Sequence, residues 1–196
     1  MKSFSQVYQF HITLLDIRPA IWRRIEVPES YSFWDLHVAI QDAMGWLDCH
    51  LHEFEIIDPK GKRPVRIGLP DEDFPGVRDV LAGWTVPIAR YFRLQNPLAF
   101  YRYDFGDGWE HEIRLEEVQP RQPRRKYPRC LEGARACPPE DVGGVGGYRR
   151  FLKAIKDPRH PEHRELLGWA GGSFDPDRFN PARVRFDDPN IRFEDL

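Results

Sequence analysis

YRYDFGDGWEHEI, residues 101–113, holds two runs of alternating apolar side chains on either side of a glycine-rich turn. Tyr101, Tyr103 and Phe105 share one face of the first run, and Trp109, His111, Ile113 and Leu115 share one face of the second. Only an odd-length loop puts both apolar rows on the same side of a sheet. Gly106-Asp107-Gly108 is therefore expected as a type I turn with Gly108 as the bulge glycine, setting Phe105 opposite Trp109 and Tyr103 opposite His111. A two-residue Asp107-Gly108 turn would put Asp104 opposite His111 but would split the apolar rows, so burial favours the longer loop. That register sets Asp104 against Glu110, a like-charge pair that asks for water, a cation or a basic neighbour.

The segments before this hairpin show the same kind of sheet. Tyr8, Phe10, Ile12 and Leu14 alternate with Gln9, His11 and Thr13, and a turn at Asp16-Ile17-Arg18-Pro19 leads to a second strand over Ile21–Val27. Ile21, Arg23, Ile25 and Val27 share one face of that strand. Ser32 then caps a helix, with Asp35 placed to complete a capping box. Leu36, Ala39, Ile40, Ala43 and Met44 form its apolar stripe, and Gly45 is its left-handed end. A third strand over Leu51–Ile57 completes a strand-strand-helix-strand start. This order predicts an α+β fold, a mainly antiparallel sheet of hairpins with a packed helix and C-terminal helices.

Prolines at 64, 70, 75 and 87 break up Lys60–Pro97, leaving loop with a short helical turn over Val77–Leu81. Gln119–Arg129 is a proline-rich basic connector. Helices are expected over Tyr148–Lys156, apolar at Tyr148, Phe151, Leu152 and Ile155, and over Pro161–Trp169; a loop-like, acidic tail follows Gly171.

The 196 residues fit one domain spanning the chain. The 18 prolines suit stiff loops, while 13% aromatic and 41% hydrophobic content argues against disorder. Twenty-nine basic residues against 31 acidic ones give a net charge of −2, which disfavours non-specific DNA binding as the main task. No apolar run is long enough for a membrane span, and the start lacks a signal peptide's uniform apolar centre. Cys49, Cys130 and Cys137 cannot all pair and form no C-x-x-C, so the expected compartment is the reducing cytoplasm.

Three places could carry chemistry. His111 sits among aromatics with Asp107 in the turn beside it, either as a core histidine bonded to a backbone carbonyl or as a ligand or acid–base group. His50 and His52 are two apart, a spacing that lets a strand hold a metal, although histidines at a strand start are commonly only surface groups. Glu140 and Asp141 precede the glycine tract Gly143–Gly147 and suit either a hard cation or the start of a helix. The glycines themselves match no phosphate-binding fingerprint.

These segments together resemble the plasmid pRiA4b Orf-three-like family of bacterial and archaeal proteins. The matching stretches are Pro19–Arg24, Met44-Gly45-Trp46, His50–Phe54, Tyr103–His111, Ala136–Gly144, Gly147-Tyr148 and Phe174-Asp175-Pro176, in family order from about residue 6 to 180. Trp84–Leu98 and the connector carry no such match. The resemblance implies an α+β fold and a largely uncharacterised activity. Some relatives bear mobile-element or resolvase-like labels, but serine-recombinase chemistry needs a nucleophilic serine with supporting arginines, and no such constellation is visible here.

Two functions follow as expectations. One is a metal or small-ligand site formed by His50 or His52 with Asp107 and His111, and with Glu140 and Asp141 as outer or alternative ligands. Imidazole with carboxylate suits a divalent ion such as zinc, manganese or iron, and an incomplete shell would leave a place for an activated water. The other is a non-enzymatic interaction module of mobile-element context. Its basic patch, Arg121, Arg124, Arg125, Lys126 and Arg129, would dock nucleic acid or an acidic protein.

Overall fold

The computed structural model describes residues 3–70 and 79–194. Strands β1 (Gln6–Leu14) and β2 (Ile21–Pro28) form the first hairpin and helix α1 (Phe33–Met44) follows. Strands β3 (His52–Ile57), β4 (Pro64–Gly68), β5 (Val80–Ala82), β6 (Leu98–Tyr103), β7 (Trp109–Pro120) and β8 (Arg129–Ala134) come next. Helices α2 (Gly144–Lys156), α3 (His163–Trp169) and α4 (Pro189–Glu194) close the chain. The eight strands make one sheet in the order β5-β4-β3-β6-β7-β1-β2-β8, antiparallel except between β4 and β5. The fold is α+β, as the sequence pattern implies.

The alternating strands bury one face. Phe10, Ile12 and Leu14 of β1, Ile21 and Ile25 of β2, and Phe54 and Ile56 of β3 meet Phe33, Leu36, Ile40 and Met44 of α1. Ser32 and Asp35 form the capping box, and Gly45 ends the helix with φ +95°. At this end of α1 the buried Arg23 donates to the carbonyls of Ala43, Trp22 and Ala134. Its guanidinium lies 3.7 Å from the Phe179 ring centre. A charge inside the core is thus accommodated by otherwise orphaned carbonyls of the helix end and the sheet edge.

Several sequence expectations change. Tyr103 pairs with Trp109, Arg102 with Glu110 and Tyr101 with His111, so the hairpin loop is Asp104–Gly108 and the register differs by two residues. Parity holds because both loops are odd. The longer one wins because Asp104 adopts φ +52° and its Oδ1 accepts from the amides of Gly106 and Asp107. Phe105 is consequently 42% exposed, and Glu110 meets Arg102 at 3.0 Å rather than Asp104.

Within the proline-broken stretch, Val80 and Leu81 belong to strand β5 rather than a helical turn, whereas Val77 and Arg78 lie outside the described residues. The basic connector ends in strand β8, and the tail carries α4. Arg192 of α4 bonds Asp42 at 2.7 Å, and the Trp34 indole donates to the Pro189 carbonyl. No helix among the described residues is long and apolar enough to cross a membrane.

Candidate functional site

The six histidine and carboxylate candidates separate into different neighbourhoods. His50 precedes β3 in an irregular segment, so the strand periodicity that would align it with His52 does not apply. His52 opens β3 and points into the core, only 3% exposed. Its ring lies against that of His37, with centres 3.4 Å apart and planes 8° from parallel. His37 Nε2 donates to Asp48 Oδ1 at 2.7 Å. Its Nδ1 accepts from the Tyr101 hydroxyl at 2.8 Å, and Gln41 donates to the same hydroxyl. Burial holds both imidazoles well below the usual histidine range, and each acts as a neutral ring. His37, Asp48 and His52 bring one ligand atom each within 4.8 Å of the others, and His52 Nδ1 is buried without a hydrogen bond. Both His37 nitrogens are already engaged by Asp48 and Tyr101, and the stacked rings aim their lone pairs side by side rather than at one point, so this group serves the core better than an ion.

His111 is fully buried between Trp46 and Tyr101, and its Nδ1 donates to the Tyr101 carbonyl at 3.3 Å. Burial lowers its pKa to about 3, opposed in part by the bond to the Tyr101 carbonyl and reinforced slightly by the Arg23 charge. Strand β6 lies between β7 and β3, and the two rings occupy different surroundings, His111 against Trp46 and Tyr101 with its Nδ1 on the Tyr101 carbonyl, His52 stacked on His37. Asp107 serves the backbone. Its Oδ2 accepts from the Gly143 amide at 3.0 Å, tying the hairpin loop to the segment before α2.

The tie brings a different set together. Around His50 Nε2 lie Asp141 Oδ1 at 3.1 Å, Asp104 Oδ2 at 3.7 Å and Glu140 Oε2 at 4.0 Å. Two ligands on one divalent ion, each about 2.1 Å from it, stand at most about 4.2 Å apart. His50, Asp104 and Asp141 each bring one ligand atom within 4.8 Å of the others, a group that a small adjustment fits to one ion, and Glu140 stands beside it. Glu140 Oε1 accepts from the Leu47 amide at 2.8 Å and the Tyr103 hydroxyl at 3.1 Å. Its Oε2 and His50 Nε2 are buried atoms without a hydrogen bond. Burial raises the Glu140 pKa, offset in part by those two donors and by His50. Asp141, by contrast, has a 70% exposed side chain, so the cluster opens to solvent on that side.

Asp104 is the residue that sequence reasoning misses as a ligand. Its pairing with Glu110 looked unfavourable without a cation, and that was the available signal, though attached to the wrong register. The backbone placement comes from left-handed residues, Asp104 at φ +52° and Asp141 at φ +56°, where aspartate is tolerated better than most side chains.

The basic patch contracts. Arg129 pairs with Glu26 at 3.5 Å, and the Arg121 guanidinium sits 4.5 Å from the centre of the Phe4 ring. Arg124, Arg125 and Lys126 stay exposed in the β7–β8 loop. A broad open depression of about 680 Å³ on the outer sheet face is lined by charges that satisfy one another, as in Arg24 with Glu116 and Glu132.

The sequence profile of the plasmid pRiA4b ORF-3-like proteins matches residues 6–183. A relative, the uncharacterized protein y4hQ of Sinorhizobium fredii, is 37% identical over 198 residues, spanning 98% of this chain and 93% of its own. The crystal structure of the protein of unknown function MM3350 from Methanosarcina mazei Go1 superposes with a TM-score of 0.88 at 43% identity, covering 94% of this chain and 100% of that one. The profile takes in every residue of the His50 cluster and both halves of the antiparallel sheet, and the chain belongs to the plasmid pRiA4b ORF-3-like family.

Proposed function

We propose that the protein binds one divalent metal ion through His50, Asp104 and Asp141, with Glu140 beside them as an outer carboxylate. The observation that carries this reading is the pair of buried, unbonded atoms, His50 Nε2 and Glu140 Oε2, 4.0 Å apart with two further carboxylates beside them. Three carboxylates crowded around one imidazole repel one another, and a divalent cation removes that cost. One nitrogen with carboxylate oxygen donors suits manganese, iron or zinc. The exposed Asp141 side leaves room for water, whose pKa a bound ion would lower, so metal-assisted hydrolysis is the chemistry the site best supports. The test is metal analysis of untagged protein, followed by calorimetric titration of the chelator-treated protein with manganese and zinc. Uptake near one ion per chain is expected, reduced at least tenfold in His50→Ala and Asp141→Asn. A wild-type protein that takes up neither ion overturns the proposal.

A further inference from the structure

Asp141 is shared by two features of the surface. Its Oδ1 belongs to the His50 cluster, and the same residue borders a cleft of about 190 Å³ between α2 and α3. Val142, Phe151, Leu166 and Trp169 give the cleft apolar walls, and Arg150 and Glu165 stand at it from opposite helices. Trp169 meets Phe151 edge to face at 6.0 Å while remaining 49% exposed, leaving much of its ring available to a visitor. An enclosed apolar space of about 150 Å³ accepts benzene, so this half-open cleft has room for one aromatic ring against its apolar walls.

We propose that the cleft is the side-group pocket of the metal centre and receives the aromatic ring of a small neutral amide or ester whose carbonyl reaches toward the ion. Charge favours a neutral ligand. Asp104 and Asp141 balance one divalent ion, Glu140 beside them leaves the surroundings no more positive than neutral, and Arg150 and Glu165 offset one another at the cleft. An anionic carboxylate would meet Asp141 and Glu165, and a free ammonium would have to compete with the ion itself. A carbonyl oxygen is a hard neutral donor that a manganese or zinc ion accepts.

This inference rests on the proposed metal site, and its test separates the two. Benzamide, acetamide and benzoate are titrated into the metal-free protein while the indole resonance of Trp169, assigned by its disappearance in Trp169→Ala, is followed by NMR. The ring-proton relaxation of benzamide is then measured with the manganese-loaded protein. A saturable shift of the Trp169 resonance with benzamide, at least tenfold weaker with the other two, is expected. Relaxation of the benzamide ring protons should rise severalfold in the wild type and fall back in Trp169→Ala, whose manganese affinity stays unchanged. No saturable shift, equal responses to all three compounds, or relaxation unaffected by Trp169→Ala overturns the cleft assignment while leaving the metal site standing. Failure to load manganese overturns the metal site and with it the link between the two.

Discussion

His111 shows how one buried side chain can be mistaken for chemistry. Its position beside Asp107 in an aromatic-rich hairpin suits a ligand, yet the Asp107 carboxylate is bonded to Gly143 and the ring bonds the Tyr101 carbonyl. What remains is a neutral histidine in the core, and it has a thermodynamic signature. The folded pKa, about 3, lies below the unfolded value near 6.5, so the unfolded chain takes up a proton that the folded chain refuses. The resulting stability is complete above pH 6.5 and is lost progressively as pH falls toward 3. His37 and His52 are shifted in the same direction by burial. Replacing His111 by glutamine removes one of these protons. The slope of unfolding free energy against pH, from urea midpoints between pH 4 and 6, should then fall by about 1.4 kcal/mol per pH unit. An unchanged slope would mean that His111 is protonated in the folded protein.

At the scale of elements, the legible parts are those whose signals are local. The Ser32 capping box, the α1 stripe and the β1–β2 alternation each occupy one short window, and all appear in the structure. Hairpin parity was legible from burial, but loop length was not, because a three-residue and a five-residue loop satisfy the same apolar rows. Strand β8 reads RCLEGA, with no apolar alternation. It pairs with β2, where Glu132 and Arg129 meet Arg24 and Glu26, contacts that no local window contains. Helix α4, six residues long, is likewise held by Arg192 and Trp34 rather than by period. The metal-site candidates followed the same rule. Glu140 and Asp141 stood out beside their glycine tract, while Asp104 depended on a turn geometry fixed by its own side chain. That glycine tract serves close approach. A Cβ on Gly147 would lie 1.9 Å from the Val142 carbonyl oxygen, and one on Gly144, at φ +64°, would lie 2.3 Å from that of Asp107. Gly147→Ala should therefore cost about 2–4 kcal/mol in urea unfolding. Because Val142 adjoins Asp141, the same variant should bind manganese more weakly in calorimetry. A loss of less than about 0.5 kcal/mol would show that the segment relaxes freely.

For the whole molecule, the proposed ion is a cross-link. His50 comes from the approach to β3, Asp104 from the β6–β7 loop, and Glu140 and Asp141 from the segment between β8 and α2. None of these segments could hold the donors in place once unfolded, so binding energy appears as folding energy. At a free ion concentration a hundred times the dissociation constant, the gain is about 2.7 kcal/mol. For a chain of this length each kcal/mol moves the melting temperature by about 2–4 °C, so saturating manganese or zinc should raise it by about 5–10 °C. Stability and site report on each other through the same equilibrium. The rise should vanish on adding a chelator and be missing in His50→Ala and Asp141→Asn. It should persist in Trp169→Ala, which alters only the neighbouring cleft, and in His52→Gln, whose ring belongs to the core network. Calorimetric scans at fixed pH with and without metal make the comparison. Equal rises in His50→Ala and the wild type would place any bound ion elsewhere on the chain.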